Sequence, residues 1–278
     1  MKKQAVLALS GGMDSTSLLL KLLSENYEVT AIGVDYGQKH IFELEQAKRL
    51  VEYLRSKDFK VTYNIIELKG LSELLVSGLV NNNSMELIKG HYAHENAKTS
   101  VVPNRNAILS ALAYAVALSR VKLLDLNCSI ALATHLGDFD NNKKAGIYPD
   151  CSEEFKQAIE YAFKIGNWDS DKVDYYAPYN VVDKTGVLSS GIESCKKLGL
   201  DYREIYSMSN TSYSPIKVGD KWISDFKTGS SVERVEAFIN LELEDPIQYA
   251  DEDGSLRSWE FVKSYVEQVC REWQSQKE

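Results

Sequence analysis

The chain has 278 residues, of which 44% are hydrophobic and 26% are charged, as in one large α/β domain with an appendage. Its net charge of -8 argues against a protein whose main task is to grip a nucleic-acid backbone. The four cysteines include no C-x-x-C pair, so we expect no disulfide framework and a reducing, cytoplasmic location. The longest apolar stretch, residues 107–118, is too short to span a bilayer and is typical of a buried helix.

The chain opens with an apolar run, a glycine turn and a helix. Residues 5–9 predict a buried parallel strand, and leucines at helical spacing follow from Leu18. The stretch between them, residues 10–16, combines two glycines with short polar side chains, which predicts a tight turn into a helix N-terminus. Such a turn can hold a phosphate chain, because it exposes backbone N–H groups at the positive end of the helix dipole. The alternative is a plain turn, with Asp14 as a helix cap instead of a Mg²⁺ ligand or a brace for the loop.

No G-x-x-x-x-G-K-[ST] or G-x-G-x-x-G motif occurs in the chain. A strand, SGGxDS and a helix in succession resemble the pyrophosphate loop of the ATP pyrophosphatases, which cleave ATP between its α and β phosphates. The resemblance implies adenylation with release of pyrophosphate. The residues of this loop are Ser10, Gly11, Gly12, Met13, Asp14, Ser15 and Thr16.

Strands and helices then alternate. We predict strands over residues 28–33 and 60–68 and a helix over residues 41–57, which indicates a doubly wound parallel sheet. Asp35 and Tyr36 follow a strand at its carboxyl end, where open parallel sheets bind ligands. Off the apolar face of the helix we expect a solvated set of charges: Glu43, Glu45, Lys48, Arg49 and Glu52.

Histidines and an arginine come next. His40 opens the second helix as a phosphate contact, a base or a surface residue. His91 and His94 lie in an irregular stretch that is a candidate lid; their spacing suits a metal, but no third ligand is near, which favours a structural role. Arg105 opens the apolar helix and can contact a phosphate or a carboxylate. Although an Asn cap with a surface arginine is the alternative, a helix apolar enough to be buried would leave Arg105 in need of a partner.

Polar residues also follow the next predicted strand, residues 129–134, which delivers His135 and Asp138 to the same sheet edge. Tyr148 offers a ring to stack on a flat base, and Asp150 a carboxylate for a guanine-like N–H edge. The alternative for these two residues is a proline turn with an Asp cap.

Cys151 is a candidate nucleophile, but the sequence places no histidine demonstrably beside it, which disfavours that role. The last predicted strand, residues 175–181, precedes Lys184 at the start of a helix that stops at Gly199. Lys184 would there reach the β and γ phosphates of ATP.

Several motifs together resemble the QueC family, the 7-cyano-7-deazaguanine synthases. They occur in the family's order over most of residues 1 to about 238: SGGMDST at 10–16, VDYGQKH at 34–40 with Glu43, VVPNRN at 101–106, H-x-G-D at 135–138, YPDC at 148–151 and DKTG at 183–186. The resemblance implies a Rossmann-like fold of the adenine nucleotide α-hydrolase (PP-loop) type over residues 1–205, with a small C-terminal lobe over residues 206–278.

The resemblance also implies roles for residues. Catalysis would fall to Asp14, Arg105 and Lys184, and ATP with Mg²⁺ would be bound by residues 10–16 with Asp35, Tyr36, Arg105 and Lys184. The 7-deazaguanine would be bordered by Gln38, His40, Asn106, His135, Asp138, Tyr148 and Asp150. The family adenylates the carboxylate of 7-carboxy-7-deazaguanine, lets ammonia form the amide, and uses a second ATP to dehydrate that amide to the nitrile.

One departure from the family is large. Its C-terminal lobe carries four zinc cysteines, whose aligned positions here are Ser212, Asp225, Thr228 and Ser231. Neutral serine and threonine supply no thiolate, so we predict no zinc. A hairpin over residues 216–223 is a candidate replacement, with Val218, Trp222 and Ile223 packed where zinc would hold the loop.

The missing cysteines and the long tail after residue 239 favour a divergent branch. QueC-like proteins of this kind occur in antiviral operons, including type IV CBASS and Qat systems, and resemblance to them implies an amide product with a protein amine as acceptor. The acceptor would lie on an operon partner resembling a CD-NTase. Apolar residues of the tail at near-helical spacing would form a docking helix, core or a homodimer face: Trp259, Phe261, Tyr265, Val266 and Trp273.

Two alternatives stay open beside this hypothesis. One is the full synthase, which makes the nitrile from ammonia with two ATP. The other is a catalytically silent module that binds a nucleobase or a protein, against which the intact loop, Arg105 and Lys184 argue. A tRNA-modifying relative would share the loop, but the acidic charge and the YPDC motif disfavour it.

Overall fold

A five-stranded parallel sheet forms the centre of the protein. The computed structural model describes residues 3–68, 70–80, 89–90, 101–135, 139–140, 145–146 and 148–275. The strands in them are β1 (Lys3–Ala8), β2 (Tyr27–Asp35), β3 (Val61–Glu67), β4 (Cys128–Ala131), β5 (Phe139–Asp140), β6 (Ala145–Gly146), β7 (Val173–Tyr176), β8 (Ile216–Val218), β9 (Lys221–Ile223), β10 (Tyr249–Ala250) and β11 (Leu256–Arg257). The sheet has the order β3-β2-β1-β4-β7, and the predicted doubly wound α/β fold is confirmed.

Helices cover both faces of this sheet. They are α1 (Met13–Ser24), α2 (Phe42–Ser56), α3 (Leu71–Leu74), α4 (Arg105–Leu124), α5 (Glu153–Gly166), α6 (Lys184–Leu198), α7 (Tyr202–Ser207), α8 (Gly229–Asn240) and α9 (Trp259–Ser275). The core on one face holds the leucines of α1 with residues of α2, α6 and α7, while α4 packs on the other face. Between β1 and β4 the winding reverses, which is where such sheets bind ligands.

Helix α4 is half-buried, and not buried as its sequence predicts. Ala113, Ala117 and Val121 pack against the sheet, whereas Leu123 is exposed on the other side. By length and composition α4 is the one helix in the described part of the chain that would suffice to cross a bilayer. The core helices of soluble proteins meet the same test, so the finding carries little weight.

Strand β7 begins at Val173, two residues before the predicted start of residues 175–181. It also ends earlier, at Tyr176, because Pro178 follows and proline has no N–H to donate to the sheet. The caps of two helices agree with their sequence. Ser152 accepts a hydrogen bond from the N–H of Phe155 at the start of α5, and Gly199 ends α6 in the left-handed region.

The C-terminal segment packs as a small core of its own. The predicted hairpin is present as β8 and β9, with Gly219 in its turn. Residues of α8 and α9 surround Phe226, and Val262 and Val266 of α9 are fully buried there. Of the predicted stripe in the tail, Val266 is buried in this core and Trp259 and Tyr265 pack partly buried against it, whereas Phe261 is exposed. A domain boundary at residue 205 stays a prediction.

Candidate functional site

The turn at residues 10–16 joins β1 to α1, and two N–H groups at the start of the helix are bonded to hydroxyls, Gly12 to Ser10 and Met13 to Thr211. Gly11 has φ +94°, and a Cβ there would collide with the carbonyl oxygen of Glu43, so only glycine fits. Gly12 is the N-cap of α1 and makes no side-chain cap. The hydroxyls of Ser10 and Ser15 lie 3.1 Å apart beside it. This arrangement offers donors to an anion at the positive end of the helix.

A lysine stands beside this turn between two carboxylates. Lys184 Nζ lies 3.0 Å from Glu233 Oε2 and 3.5 Å from Asp14 Oδ2. Asp14 Oδ1 is buried and has no hydrogen-bond partner among the described residues. A cation, a carboxylate oxygen and hydroxyl groups around a helix N-terminus fit a phosphate chain with Mg²⁺, which prefers such oxygen ligands.

A cavity of about 210 Å³ adjoins the turn at the carboxyl ends of β1, β2 and β4. It brings together many of the predicted site residues, from motifs far apart in the chain. These are Ser10, Gly12, Asp14, Ser15, Tyr36, Gln38, His40, Arg105, Asn106 and Tyr148. The phosphate loop and the candidate base-binding residues therefore share one cavity.

Other predicted residues do not line this cavity. Gly11, Met13 and Thr16 are buried beneath the turn, and His135 is buried away from it. Lys184 stands apart beside Asp14.

Asp35 and Asp150 bind backbone instead of facing the cavity. Asp35 accepts a hydrogen bond from the Gly37 N–H, and Asp150 accepts one of 3.3 Å from the Asn106 N–H at the start of α4. The predicted contact of Asp150 with the base stays a prediction, beside the observed contact of its Oδ2 with the start of α4. Asp138, His91 and His94 lie outside the described residues.

Arg105 supplies the positive charge of the cavity. Burial alone would lower its pKa, but the phenol groups of Tyr36, Tyr213 and Tyr148 together raise the pKa of Arg105 well above its ordinary value. The guanidinium lies 5.9 Å from the centre of the Tyr148 ring. A cation among aromatic rings in a cavity suits the carboxylate of a flat ligand.

Glu43 was placed both beside the VDYGQKH motif and among the solvated charges of α2, and the solvated assignment is wrong. The side chain is only 6% exposed and lines the cavity, three residues after His40 and on the same side of the helix. Burial raises the pKa of Glu43 well above its ordinary value, despite the opposing charges of Arg105 and Arg234. Burial likewise lowers the pKa of His40 to about 3. The i, i+3 spacing of these residues was the available signal.

Tyr213 and Cys151 also line the cavity. The Tyr213 ring lies 5.4 Å from that of His40. Cys151 Sγ accepts a hydrogen bond of 3.3 Å from Asn106 Nδ2, the side-chain amide at the start of α4. Tyr213 had a signal, since it follows the first of the aligned cysteine positions.

The four positions aligned with the zinc cysteines lie together in one buried cluster around the Asp225 carboxylate. Its Oδ1 accepts hydrogen bonds from the hydroxyls of Ser212, Thr228 and Ser231 at 2.5, 2.8 and 2.8 Å. Its Oδ2 accepts bonds from the backbone N–H groups of Lys227 and Thr228 at 2.7 and 2.6 Å. We call this set the Asp225 cluster.

The donor chemistry of the Asp225 cluster does not fit zinc. Zinc sites use thiolate, imidazole or carboxylate ligands, whereas three positions here are neutral hydroxyls and the one carboxylate is already engaged by five donors. Among the described residues, no group of three or more His, Cys, Asp or Glu side chains could hold a metal.

The hairpin does not fill this position as predicted. Of its three candidate residues only Ile223 is buried, and Trp222 instead stacks on Phe42 of α2, with ring centres 6.1 Å apart. Asp225, just after the hairpin, takes the central place.

A buried ion pair connects the C-terminal segment to the phosphate loop. Arg234 donates to both oxygens of Asp245 at 2.6 and 2.9 Å, and to the Ser209 hydroxyl at 2.9 Å. Next along the chain, the Thr211 hydroxyl accepts the N–H of Met13 at 3.2 Å. The loop that binds phosphate is thus braced by residues 209–211.

The chain is similar to several known proteins. The family model of queuosine biosynthesis protein QueC matches residues 4–221. The chain is 36% identical over 249 residues to 7-cyano-7-deazaguanine synthase 2 of Colwellia psychrerythraea, covering 89% of this chain and 99% of that protein. It is also 36% identical over 248 residues to 7-cyano-7-deazaguanine synthase of Caldicellulosiruptor saccharolyticus, covering 88% and 95%. An alcohol dehydrogenase structure from Comamonas testosteroni superposes with a TM-score of 0.36 at 15% identity, over 72% of this chain and 84% of that one, which carries no argument.

Proposed function

The chain belongs to the QueC family of queuosine biosynthesis proteins, and from that premise we propose that it is an ATP-dependent carbon–nitrogen ligase acting on 7-carboxy-7-deazaguanine. The relatives it matches are named 7-cyano-7-deazaguanine synthases, and the match spans nearly their whole length. ATP and Mg²⁺ are the proposed cofactors.

The observation that carries this proposal is the shared cavity. Arg105 and the phosphate loop line the same space, so a carboxylate bound to Arg105 lies next to a triphosphate bound at the N-terminus of α1. A carboxylate and the α-phosphate must meet in this way for adenylation, because holding both reactants together lowers the entropic cost of the reaction. Tyr148 and Tyr213 add flat apolar surface for the base.

The reaction divides into two transfers. In the first, a carboxylate oxygen attacks the α-phosphorus, the bond to the β-phosphate breaks, and pyrophosphate leaves. In the second, an amine attacks the acyl carbon, loses a proton, and AMP leaves. Activation is needed because a carboxylate resists amines. Lys184 and the α1 N-terminus would stabilise the charge on the leaving pyrophosphate, and Asp14 would hold Mg²⁺.

We propose further that the acceptor is an amine of a partner protein in antiphage defence, and that the product stays an amide. Support comes from the departure at the Asp225 cluster, which sets this chain apart from the family's cysteine pattern. The alternative is the complete synthesis of the nitrile from ammonia with two ATP. We propose in addition that the protein is cytoplasmic and forms a homodimer.

Mass spectrometry after incubation with ATP, Mg²⁺, 7-carboxy-7-deazaguanine and ammonium tests these activities, with and without operon neighbours. An amide or a modified neighbour without nitrile supports the proposal, and free nitrile supports the alternative. Asp14→Ala should abolish pyrophosphate release, while the matched control Asp171→Ala, exposed at the opposite end of the sheet, should retain it. No turnover under any condition would refute both enzymatic functions and leave a binding module.

A further inference from the structure

Glu43 is a buried acid in the cavity wall that the proposed transfers do not use. It sits on α2, is 6% exposed, and lines the same cavity as Arg105 and Tyr148. Its Oε1 is buried without a hydrogen-bond partner among the described residues. A buried polar atom without a partner is costly, so an unpartnered carboxyl oxygen on a residue of the cavity wall calls for a partner.

The neighbours of Glu43 do not hold it as a carboxylate. His40 Nε2 lies 4.0 Å from Glu43 Oε2, and burial lowers the pKa of His40 to about 3, so the imidazole is neutral and forms no ion pair. The charged and titratable groups that act on Glu43 are Arg105, Arg234, Asp14, His40, Tyr36 and Tyr63. Burial outweighs the two arginines and raises the pKa of Glu43, which favours the protonated acid, a form with one O–H donor and one carbonyl acceptor.

We propose that Glu43 reads the cyclic-amide edge of the base, donating its O–H to the ring carbonyl and accepting the adjacent ring N–H. This inference rests on the proposed function. The carboxylate of 7-carboxy-7-deazaguanine lies on the same side of the bicyclic ring as its carbonyl oxygen. Arg105 and Glu43 line the same cavity, and the charge of Arg105 acts on Glu43, so a base whose carboxylate meets Arg105 would in our proposal turn that carbonyl and the N–H beside it toward Glu43. This contact with the ring carbonyl differs from the one predicted for Asp150, which was expected to accept hydrogen bonds from an N–H edge of the base.

Calorimetric titration of two probes tests the assignment. They are 7-carboxy-7-deazaguanine and its O6-methyl ether, which lacks both the free carbonyl and the ring N–H. We expect the wild-type protein to prefer the first by about 100-fold, since two buried hydrogen bonds are at stake. Glu43→Leu should lose that preference, whereas Glu43→Gln should keep it within about fivefold, because an amide also offers one donor and one acceptor.

Glu45→Leu is the matched control, since Glu45 is exposed on the same helix and should leave the preference unchanged. ATP binding and thermal melting report whether each variant is folded. A Glu43→Gln variant that fails as badly as Glu43→Leu would overturn the neutral acid, because an ionised carboxylate pairing with two donors is not mimicked by an amide.

The inference and the proposed function fail differently. If the wild-type protein turns the base over and Glu43→Leu keeps the full preference, Glu43 does not read the base, while the ligase activity stands. If the wild-type protein neither binds the base nor releases pyrophosphate with it, both fall together.

Discussion

Replacing Asp225 tests whether one carboxylate holds the C-terminal segment together. Asp225→Ala leaves five donors without their acceptor: two backbone N–H groups and three hydroxyls. Each buried N–H without a partner costs about 1–3 kcal/mol, and the hydroxyls, which can partly bond one another, about 0.5–1 kcal/mol each. We therefore expect the free energy of unfolding to fall by about 4–9 kcal/mol, a large part of the stability of an ordinary domain.

Urea denaturation followed by circular dichroism measures this loss. Asp225→Asn should lose less, about 2–3 kcal/mol, because it keeps one acceptor oxygen but turns an amide toward the hydroxyls. Asp220→Ala, exposed at the hairpin turn, is the matched control. If the free energy of unfolding of Asp225→Ala lies within about 1 kcal/mol of that of the control, the hydrogen bonds do not hold the segment together and the reasoning is wrong.

The Asp225 cluster also predicts how the protein responds to metals. Chelation with EDTA should leave the wild-type denaturation midpoint unchanged. A variant with cysteine at all four positions, Ser212, Asp225, Thr228 and Ser231, should bind zinc and become sensitive to EDTA, because the positions already lie together. Zinc in the purified wild-type protein, by elemental analysis, would contradict this.

Further predictions concern the cavity and the ion pair. Arg105→Gln should raise the KM for the base roughly 100-fold and that for ATP only slightly if, as we propose, the guanidinium binds the substrate carboxylate; initial rates check this against the exposed control Arg55→Gln. Base affinity in the wild type should fall as the pH rises through the raised pKa of Glu43, because only the neutral acid is competent, and Glu43→Gln should remove that limb from a titration series. Asp245→Asn should cost about 3–5 kcal/mol in urea denaturation, since Arg234 keeps its buried charge; an unchanged midpoint would contradict that role.

The strands and the phosphate loop were predictable because their signals are local. Apolar runs such as residues 5–9 read as buried strands, and glycine at residue 11 reports a turn without any knowledge of distant contacts. The shared cavity needed more, since Arg105 and the loop are far apart in the chain. The order of the motifs in the family predicted that these two motifs act together. The topology of the sheet explains why, because the carboxyl ends of parallel strands meet at one edge.

What sequence reasoning missed depends on long-range packing. Helical periodicity places Glu43 among the solvated charges of α2, and its burial is seen only where the loop at Gly11 packs against that helix. Trp222 and Asp225 show the same limit. Trp222 was expected to pack at the position of the metal, but Asp225 lies there instead. A carboxylate can accept hydrogen bonds from the surrounding hydroxyls, whereas an apolar side chain would leave them without an acceptor. Alignment located the four positions, and only the fold revealed their chemistry.

The Asp225 cluster has a consequence for the conditions under which the protein can work. Thiolates that hold zinc are open to oxidation and must be loaded with metal before the surrounding chain is stable. Hydroxyls and a carboxylate do not oxidise in this way, and they are complete as soon as the chain folds. The segment that braces the phosphate loop should therefore survive peroxide stress and zinc starvation, two states in which a thiolate-held relative would lose its support.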